Sequence, residues 1–248
     1  MFPEISARDI PALNTDQMIE VDRMMATDYH IEAMQMMENA GSNLAHLARM
    51  RFCAGDPREK KILALSGRGG NGGDALVAAR RLSNWGADVT VALGQDPGKM
   101  TDLAGHQLSS LQRMGMAGST EIADINALKD QYFDLIIDGL IGFSLKGAPY
   151  GMIGELIAYA NDTDAPILSV DAPSGVDTTS GTIFDPAIKA TATLTLALPK
   201  DGLYAQGVPE QNGELYLADI SVPPELYQTS LSLNVAPLFA QSDIIRII

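Results

Sequence analysis

The stretch KKILALSGRGGNGGDALVAARRL, Lys60 to Leu82, sets a short apolar run, a glycine-rich turn and an amphipathic run side by side. The apolar run ILALS (62–66) reads as a buried strand, and ALVAARRL after the glycines reads as a helix. Gly67, Gly69 and Gly72 match the G-x-G-x-x-G spacing of dinucleotide-binding folds, in which glycine lets the backbone turn tightly and approach a phosphate closely. One residue disturbs that match. Asp74 puts a carboxylate where a diphosphate is expected, so it is either an N-terminal helix cap or a group that faces a sugar hydroxyl or an amide.

Outward from this unit the same rhythm repeats. DVTVAL (88–93), DLIIDGL (134–140) and PILSVDA (166–172) are further candidate strands, with helical patterns over 74–85, 101–114 and 152–161. Strands alternating with helices predict a parallel, doubly wound α/β sheet covered on both faces. TATLTLAL (191–198) and GELYLADI (213–220) read as later strands without comparable helices between them, which predicts a mixed sheet edge. Before the core, Asn14 or Thr15 is placed to cap a helix beginning at Asp16, and a second helical segment covers 31–52. Both carry methionine stripes, among them Met24, Met25, Met34, Met36 and Met37, which suit adaptable packing or a contact between subunits. Nothing in composition marks a linker, so 1–248 is expected to be one domain, with N-terminal helices over about 15–52 and the core over about 60–248.

Composition narrows the function. The 248 residues are 46% hydrophobic and 19% charged, the profile of a folded globular chain, and no apolar run is long enough for a membrane helix. A net charge of −14 disfavours nucleic acid and anionic membranes as partners. The N-terminus MFPEISARDI lacks the basic and apolar regions of a signal peptide, and Cys53 is the only cysteine. Both fit a reducing, cytoplasmic setting.

In doubly wound folds ligands bind beyond the carboxyl ends of the strands, and three loops there hold the polar residues. The first is the glycine turn with Asn71 and Asp74. The second, IDGLIGFSLKGAPYG, begins with Asp138 at the end of an apolar strand and continues through small residues and Lys146. The third, SVDAPSGVD, holds Asp171 and Ser174 around a Pro-Gly turn. These are hard oxygen donors without a His or Cys cluster, a set suited to K⁺, Na⁺ or Mg²⁺ and unsuited to zinc. His30, His46 and His106 lie away from the loops, so a serine hydrolase triad is not expected. A dehydrogenase is also disfavoured, because Asp88 stands at the wrong end of its strand to hold a ribose and Asp96 lies further along the chain.

Four motifs in order, Met37-Glu38-Asn39-Ala40-Gly41, GGNGGDALVAARRL, DLIIDGLIGFSLKG and SVDAPSGVD, resemble the NAD(P)H-hydrate epimerase family, the YjeF N-terminal domain. The resemblance runs from about Asp16 to Tyr204. It implies a Rossmann-like three-layer α/β/α sandwich with a mostly parallel central sheet. It also implies an isomerase that interconverts the R and S epimers of hydrated NADH and NADPH, a homodimer, and NAD(P)H-hydrate dehydratase as functional partner. The chain is expected to be a standalone epimerase without the dehydratase domain. By position, Gly70, Asn71, Gly72, Gly73 and Asp74 look like one substrate-binding segment, and Gly142, Phe143, Ser144, Leu145, Lys146, Gly147 and Ala148 like another. Asp171 is carried over as a substrate-contacting acid, and Asn71, Asp138 and Ser174 as ligands of K⁺, one per subunit. Gly70 departs from the family pattern, in which Asn is common, and so removes one amide. Some relatives act as non-catalytic dimerisation or protein-binding modules, and this is the alternative reading.

The chemistry needs little. Hydrated NAD(P)H is a carbinolamine whose ring nitrogen expels the hydroxyl once an acid protonates it, after which water returns to either face. One carboxyl group cycling between acid and base suffices. Asp171, at a strand end beside a rigid turn, is the residue expected to do this.

Overall fold

The computed structural model describes residues 2–119, 121–143 and 145–248. Among them the strands β1 (Glu4–Ile5), β2 (Lys61–Ser66), β3 (Asp88–Leu93), β4 (Leu135–Gly139), β5 (Ile167–Val170), β6 (Ala192–Leu196), β7 (Glu214–Ala218) and β8 (Ile244–Ile247) form one sheet. Its order is β1-β8-β7-β6-β5-β4-β2-β3. Neighbours run parallel except β7 and β8, so the mixed edge expected from sequence is present.

The helices are α1 (Thr15–Thr27), α2 (Ala33–Leu47), α3 (Gly70–Asn84), α4 (Asp102–Arg113), α5 (Ile125–Lys129), α6 (Gly151–Asn161), α7 (Val208–Asn212) and α8 (Pro224–Leu231). Strand side chains alternate between faces and build three layers. Ala64, Ile137 and Leu168 pack with Leu44 of α2, Leu76 of α3 and Leu108 of α4 on one face. On the other face Leu63 and Ile136 meet Leu156 of α6, while Leu217 and Ile247 meet Val21 of α1 and Leu226 of α8. Such burial, at roughly 25 cal/mol per Å² of apolar surface, is what makes these short strands pair. No helix among the described residues is long and apolar enough to cross a membrane.

Two sequence expectations change. Helix α3 begins at Gly70, not near Asp74, and its N-cap is Gly69. Asp74 is therefore not a cap; it sits inside the helix. Glycine disfavours helix by about 1 kcal/mol per residue, but here close packing requires it. A Cβ at Gly72 would lie 2.0 Å from the Gly67 carbonyl, and one at Gly73 would lie 2.4 Å from Met37 Cε. Second, the 31–52 helix is shorter: α2 ends at Leu47, and Ala48–Phe52 widens into a π-helical turn. Of the methionine stripes, Met25, Met36 and Met37 are buried inside this chain, as adaptable packing requires, and Met24 and Met34 are half-buried. The strands β1 and β8, two and four residues long, show no periodicity of their own; β8 forms by pairing with β7, and β1 by pairing with β8.

The strand order reverses at β2, which has β3 on one side and β4 on the other. The loops leaving β2 and β4 therefore diverge, and a crevice opens at the carboxyl edge of the sheet.

Candidate active site

A cleft of about 950 Å³ occupies that crevice, at the upper end of the range for small-molecule sites. Arg68, Gly70, Asn71 and Gly72 form one wall, Gly142, Phe143, Leu145 and Lys146 another, and Lys99 and Thr101 from the loop after β3 a third. Gly147 and Ala148 complete the second wall, and Ser144 lies outside the described residues. The start of α3 points into the cleft, and the N–H groups of a first helical turn have no partners within the helix. These donors and the cations Arg68, Lys99 and Lys146 favour anionic oxygens in an otherwise acidic protein. Gly73 is turned away from the cleft towards Met37.

Behind the cleft the three polar loops converge in an oxygen cradle. Asp138, fully buried, accepts hydrogen bonds from Ser174 Oγ (2.6 Å), Ser174 N (2.9 Å), Ser169 Oγ (2.8 Å) and Leu140 N (3.2 Å). Burial raises its pKa, and those four donors oppose the rise. Ser174 Oγ in turn accepts from Ile141 N at 2.9 Å, and Asn71 Nδ2 donates to the Val170 carbonyl at 2.7 Å. Asn71 Oδ1 lies so close to Gly142 that a Cβ there would come within 2.4 Å of it. Sequence therefore brings Asn71, Asp138 and Ser174 to one place. One carboxylate among amide, hydroxyl and carbonyl oxygens suits a hard cation of low charge. No group of three or more His, Cys, Asp or Glu side chains among the described residues could hold a metal ion.

A second polar cluster stands apart from this cradle. Asp171 follows β5 in the left-handed region, at φ 66°, a conformation that costs on the order of 1 kcal/mol and gathers at functional sites. Its carboxylate accepts hydrogen bonds from Lys200 Nζ, from Thr195 Oγ1 (3.3 Å) and from Leu196 N (3.3 Å). Lys200 is 1% exposed and also donates to the Leu196 carbonyl at 2.9 Å. The pair is thus a buried salt bridge with both members hydrogen-bonded.

Two more carboxyls face this pair. Asp74, 5% exposed, accepts no hydrogen bond among the described residues, and burial followed by repulsion from Asp171 and Asp22 lifts its pKa well above the usual range. Asp22, on α1, is pushed up to about 6 by burial, with Lys200 pulling the other way and Asp171 adding to the rise. A carboxyl whose hold on its proton is raised, together with one that is ion-paired, supplies the two kinds of group that acid–base chemistry uses. The histidines take no part in it; His46, for example, packs edge-on against Phe2.

Lys200 and Asp22 were not among the residues singled out from sequence, yet each left a trace. Lys200 ends the run TATLTLALPK, a lysine at a strand terminus pointing inward. Asp22 interrupts the apolar face made by Met18, Val21 and Met25, where a charge has no reason to stand unless it is partnered.

The family described as "YjeF-related protein N-terminus" matches residues 33–202, a span that includes Lys200 and leaves Asp22 outside. A protein of Dehalogenimonas lykanthroporepellens named NAD(P)H-hydrate epimerase is 37% identical over 247 residues, covering 99% of this chain and 96% of its own. A Moorella thermoacetica protein named Bifunctional NAD(P)H-hydrate repair enzyme Nnr is 36% identical; the match covers 86% of this chain and 41% of that one. The crystal structure of yeast ynu0, YNL200c, superposes with a TM-score of 0.79 at 21% identity, covering 96% of this chain and all of the other, which supports the fold.

Proposed function

The chain belongs to the family of YjeF-related N-terminal domains, and from that premise we propose that it is an NAD(P)H-hydrate epimerase, an isomerase acting in nicotinamide nucleotide repair. Its likeness to a protein of that name extends over 99% of its length. The observation that carries the reading is a cleft walled by glycines and cations at the carboxyl edge of the sheet, the edge at which Asp171, buried and not itself part of the cleft wall, follows β5 in its ion pair with Lys200.

The phosphates of hydrated NADH or NADPH lie along the start of α3 and the loop after β4, where the free N–H groups and Lys146 meet them. The hydrated ring reaches Asp171. A carboxyl proton passes to the ring hydroxyl, the nitrogen lone pair expels it as water, and a cationic iminium forms. The carboxylate then takes a proton from water as it adds to the opposite face, so that the carbon is inverted and the carboxyl is restored. Such general acid–base assistance is worth ~10²–10⁴-fold. Lys200 holds the Asp171 carboxylate in place, and the carboxylates around it suit the cationic intermediate.

A potassium ion, one per subunit, fits the cradle of Asn71, Asp138 and Ser174, where it would supply positive charge and fix the loops that carry the cleft. The presence together of Asn71, Asp138, Asp171 and Ser174 favours catalysis over a purely dimerising or protein-binding role. A homodimer and a functional partnership with NAD(P)H-hydrate dehydratase accompany the reading, and the bifunctional name of one relative supports the latter. A cytoplasmic location suits the single buried thiol of Cys53.

The test is direct. Incubation of the purified protein with one separated epimer of hydrated NADH, followed by chromatography, should yield the other epimer faster than in buffer alone. An unchanged rate would remove the proposal.

A further inference from the structure

The charge of the cleft runs against the charge of the chain. With 31 acidic and 17 basic residues the protein is strongly acidic, yet among the described residues the cleft wall carries Arg68, Lys99 and Lys146 and no carboxylate. Ion pairs with carboxylates engage eight of the seventeen basic side chains, and these three are not among them. A single exposed cation is ordinary. Three around one cleft in an acidic chain make a local field that draws anions inward.

The three cations stand at different places along the sheet edge. Lys146 belongs to the loop after β4, whereas Arg68 follows β2 and Lys99 follows β3. Thr101 N donates to the Arg68 carbonyl at 2.9 Å, which fastens the Arg68 and Lys99 segments side by side. In the order β5-β4-β2-β3, the strand that Asp171 follows and the strand that Lys99 follows are three spacings apart, about 14 Å. A dinucleotide with its ring at the β5 side and its diphosphate at the start of α3 therefore lays its adenosine over the end of β3. In dinucleotide-binding folds the ribose is read at this place, an acid taking a 2′-hydroxyl and a cation taking a 2′-phosphate. No acid stands there among the described residues. Asp88 begins β3, at the opposite edge of the sheet. Asp96 is outside the cleft wall, and its Oδ1 accepts from Gly98 N at 2.8 Å as the cap of the short turn Pro97–Lys99. Lys99 N donates to the Asp96 carbonyl at 2.9 Å, so that turn fixes where Lys99 leaves the backbone.

We infer that Arg68 and Lys99 are specificity-determining residues: they hold the 2′-phosphate on the adenosine ribose and so make hydrated NADPH, not hydrated NADH, the preferred substrate. A phosphate monoester carries about −1.5 to −2 charges at pH 7, which two cations balance. The diphosphate is already met by the start of α3 and Lys146. The Arg68 guanidinium presents a fork that grips two phosphate oxygens, and Lys99 adds a point charge. Hydrated NADH brings only a 2′-hydroxyl, which leaves both cations in water. It loses an attraction and meets no repulsion, so the discrimination lies in binding and not in the chemistry at the ring. The inference rests on the epimerase reading above.

The experiment measures kcat and KM for hydrated NADPH and hydrated NADH with wild type, Arg68→Gln, Lys99→Gln, their double variant and Lys146→Gln. Arg68 and Lys99 are exposed, so their substitution does not burden the fold. Wild type should favour hydrated NADPH by about 10–100-fold in kcat/KM, mostly through KM, the range that hydrogen bonds to a charged group supply. Each single variant should lower that ratio, and the double variant should abolish it. Lys146→Gln should weaken both substrates alike and leave the ratio within about twofold of wild type, because the diphosphate is common to both. Independently of turnover, calorimetry should show adenosine 2′,5′-bisphosphate binding the wild type more tightly than adenosine 5′-monophosphate, and the double variant binding the two equally. A wild type that epimerises neither substrate brings down the proposed function and this inference with it. An active wild type with equal kcat/KM for both substrates or equal affinity for both adenosine nucleotides overturns this inference alone. So does a preference that Lys146→Gln erodes as much as Arg68→Gln and Lys99→Gln do.

Discussion

Two groups of buried oxygens lie at the carboxyl edge of the sheet, and the protein treats them in opposite ways. Around Asp138 four donors meet one carboxylate, and the ring of bonds closes through Ser174 and Ile141. Around Asp171 the donors are Lys200 Nζ, Thr195 Oγ1 and Leu196 N, all on one carboxylate oxygen, while the buried Asp74 accepts no hydrogen bond among the described residues. A satisfied network stiffens a structure, whereas an under-satisfied one keeps protons and charges ready to move. The first group holds the loops that shape the cleft. The second holds the chemistry.

Substitutions that strike each group should separate these roles. The largest effect is expected from Asp171→Asn, which should lower epimerisation by ~10²–10⁴-fold. It should also destabilise the fold by about 3–5 kcal/mol, because Lys200 keeps a buried charge without its partner. Adding Lys200→Met should restore much of the stability, read by thermal melting, and none of the activity. A double variant that stays as unstable as the single one would break the contrast, since stability would then depend on something other than the unpaired ammonium.

Asp22→Asn comes next, and its sign is opposite. The Asp22 proton is held to about pH 6 in the folded chain against an ordinary 3.8. Its contribution to stability is therefore fully present below about pH 4 and is lost as pH rises through about 6. The asparagine variant should be more stable than wild type at pH 7.5 by up to about 3 kcal/mol, since each tenfold change in proton affinity is worth about 1.4 kcal/mol. At pH 4 the two should nearly coincide in melting temperature.

The smallest change is expected in the closed cradle. Ser174→Ala removes a donor to Asp138 and the acceptor for Ile141 N, which should cost about 1–3 kcal/mol for buried groups left unpaired. If potassium sits there, the melting temperature of wild type should rise with added KCl relative to choline chloride, and that of Ser174→Ala should rise less. Equal responses would remove the cation from the cradle.

Most of the architecture was legible in residue order. The run 60–82 announced strand, turn and helix, and the later alternation announced a parallel sheet with a mixed edge. A cap at Asn14 or Thr15 was visible because short polar side chains satisfy the free N–H groups of a helix start, and the structure selects Asn14. The short elements β1, β8 and α7 were not, since each is too brief for a periodic pattern. The start of α3 was misplaced for a related reason. Glycines read locally as a flexible turn, and only the close approach of Gly67 and Met37 makes them helical.

The candidate site divides along the same line. Asn71, Asp138, Asp171 and Ser174 could be picked from sequence because each ends a strand or begins a turn, and parallel sheets gather such ends at one edge. Lys200 and Asp22 could not be placed that way. Lys200 lies 29 residues beyond Asp171, and Asp22 sits on a helix that sequence alone leaves unattached to the sheet. Local order thus determined which residues carry chemistry at strand ends, since propensity and hydrogen-bonding demands act over a few residues. Tertiary structure alone decided which charges meet. Desolvation and Coulomb forces depend on distance through space, and the folding of α1 onto the Lys200 segment sets those distances.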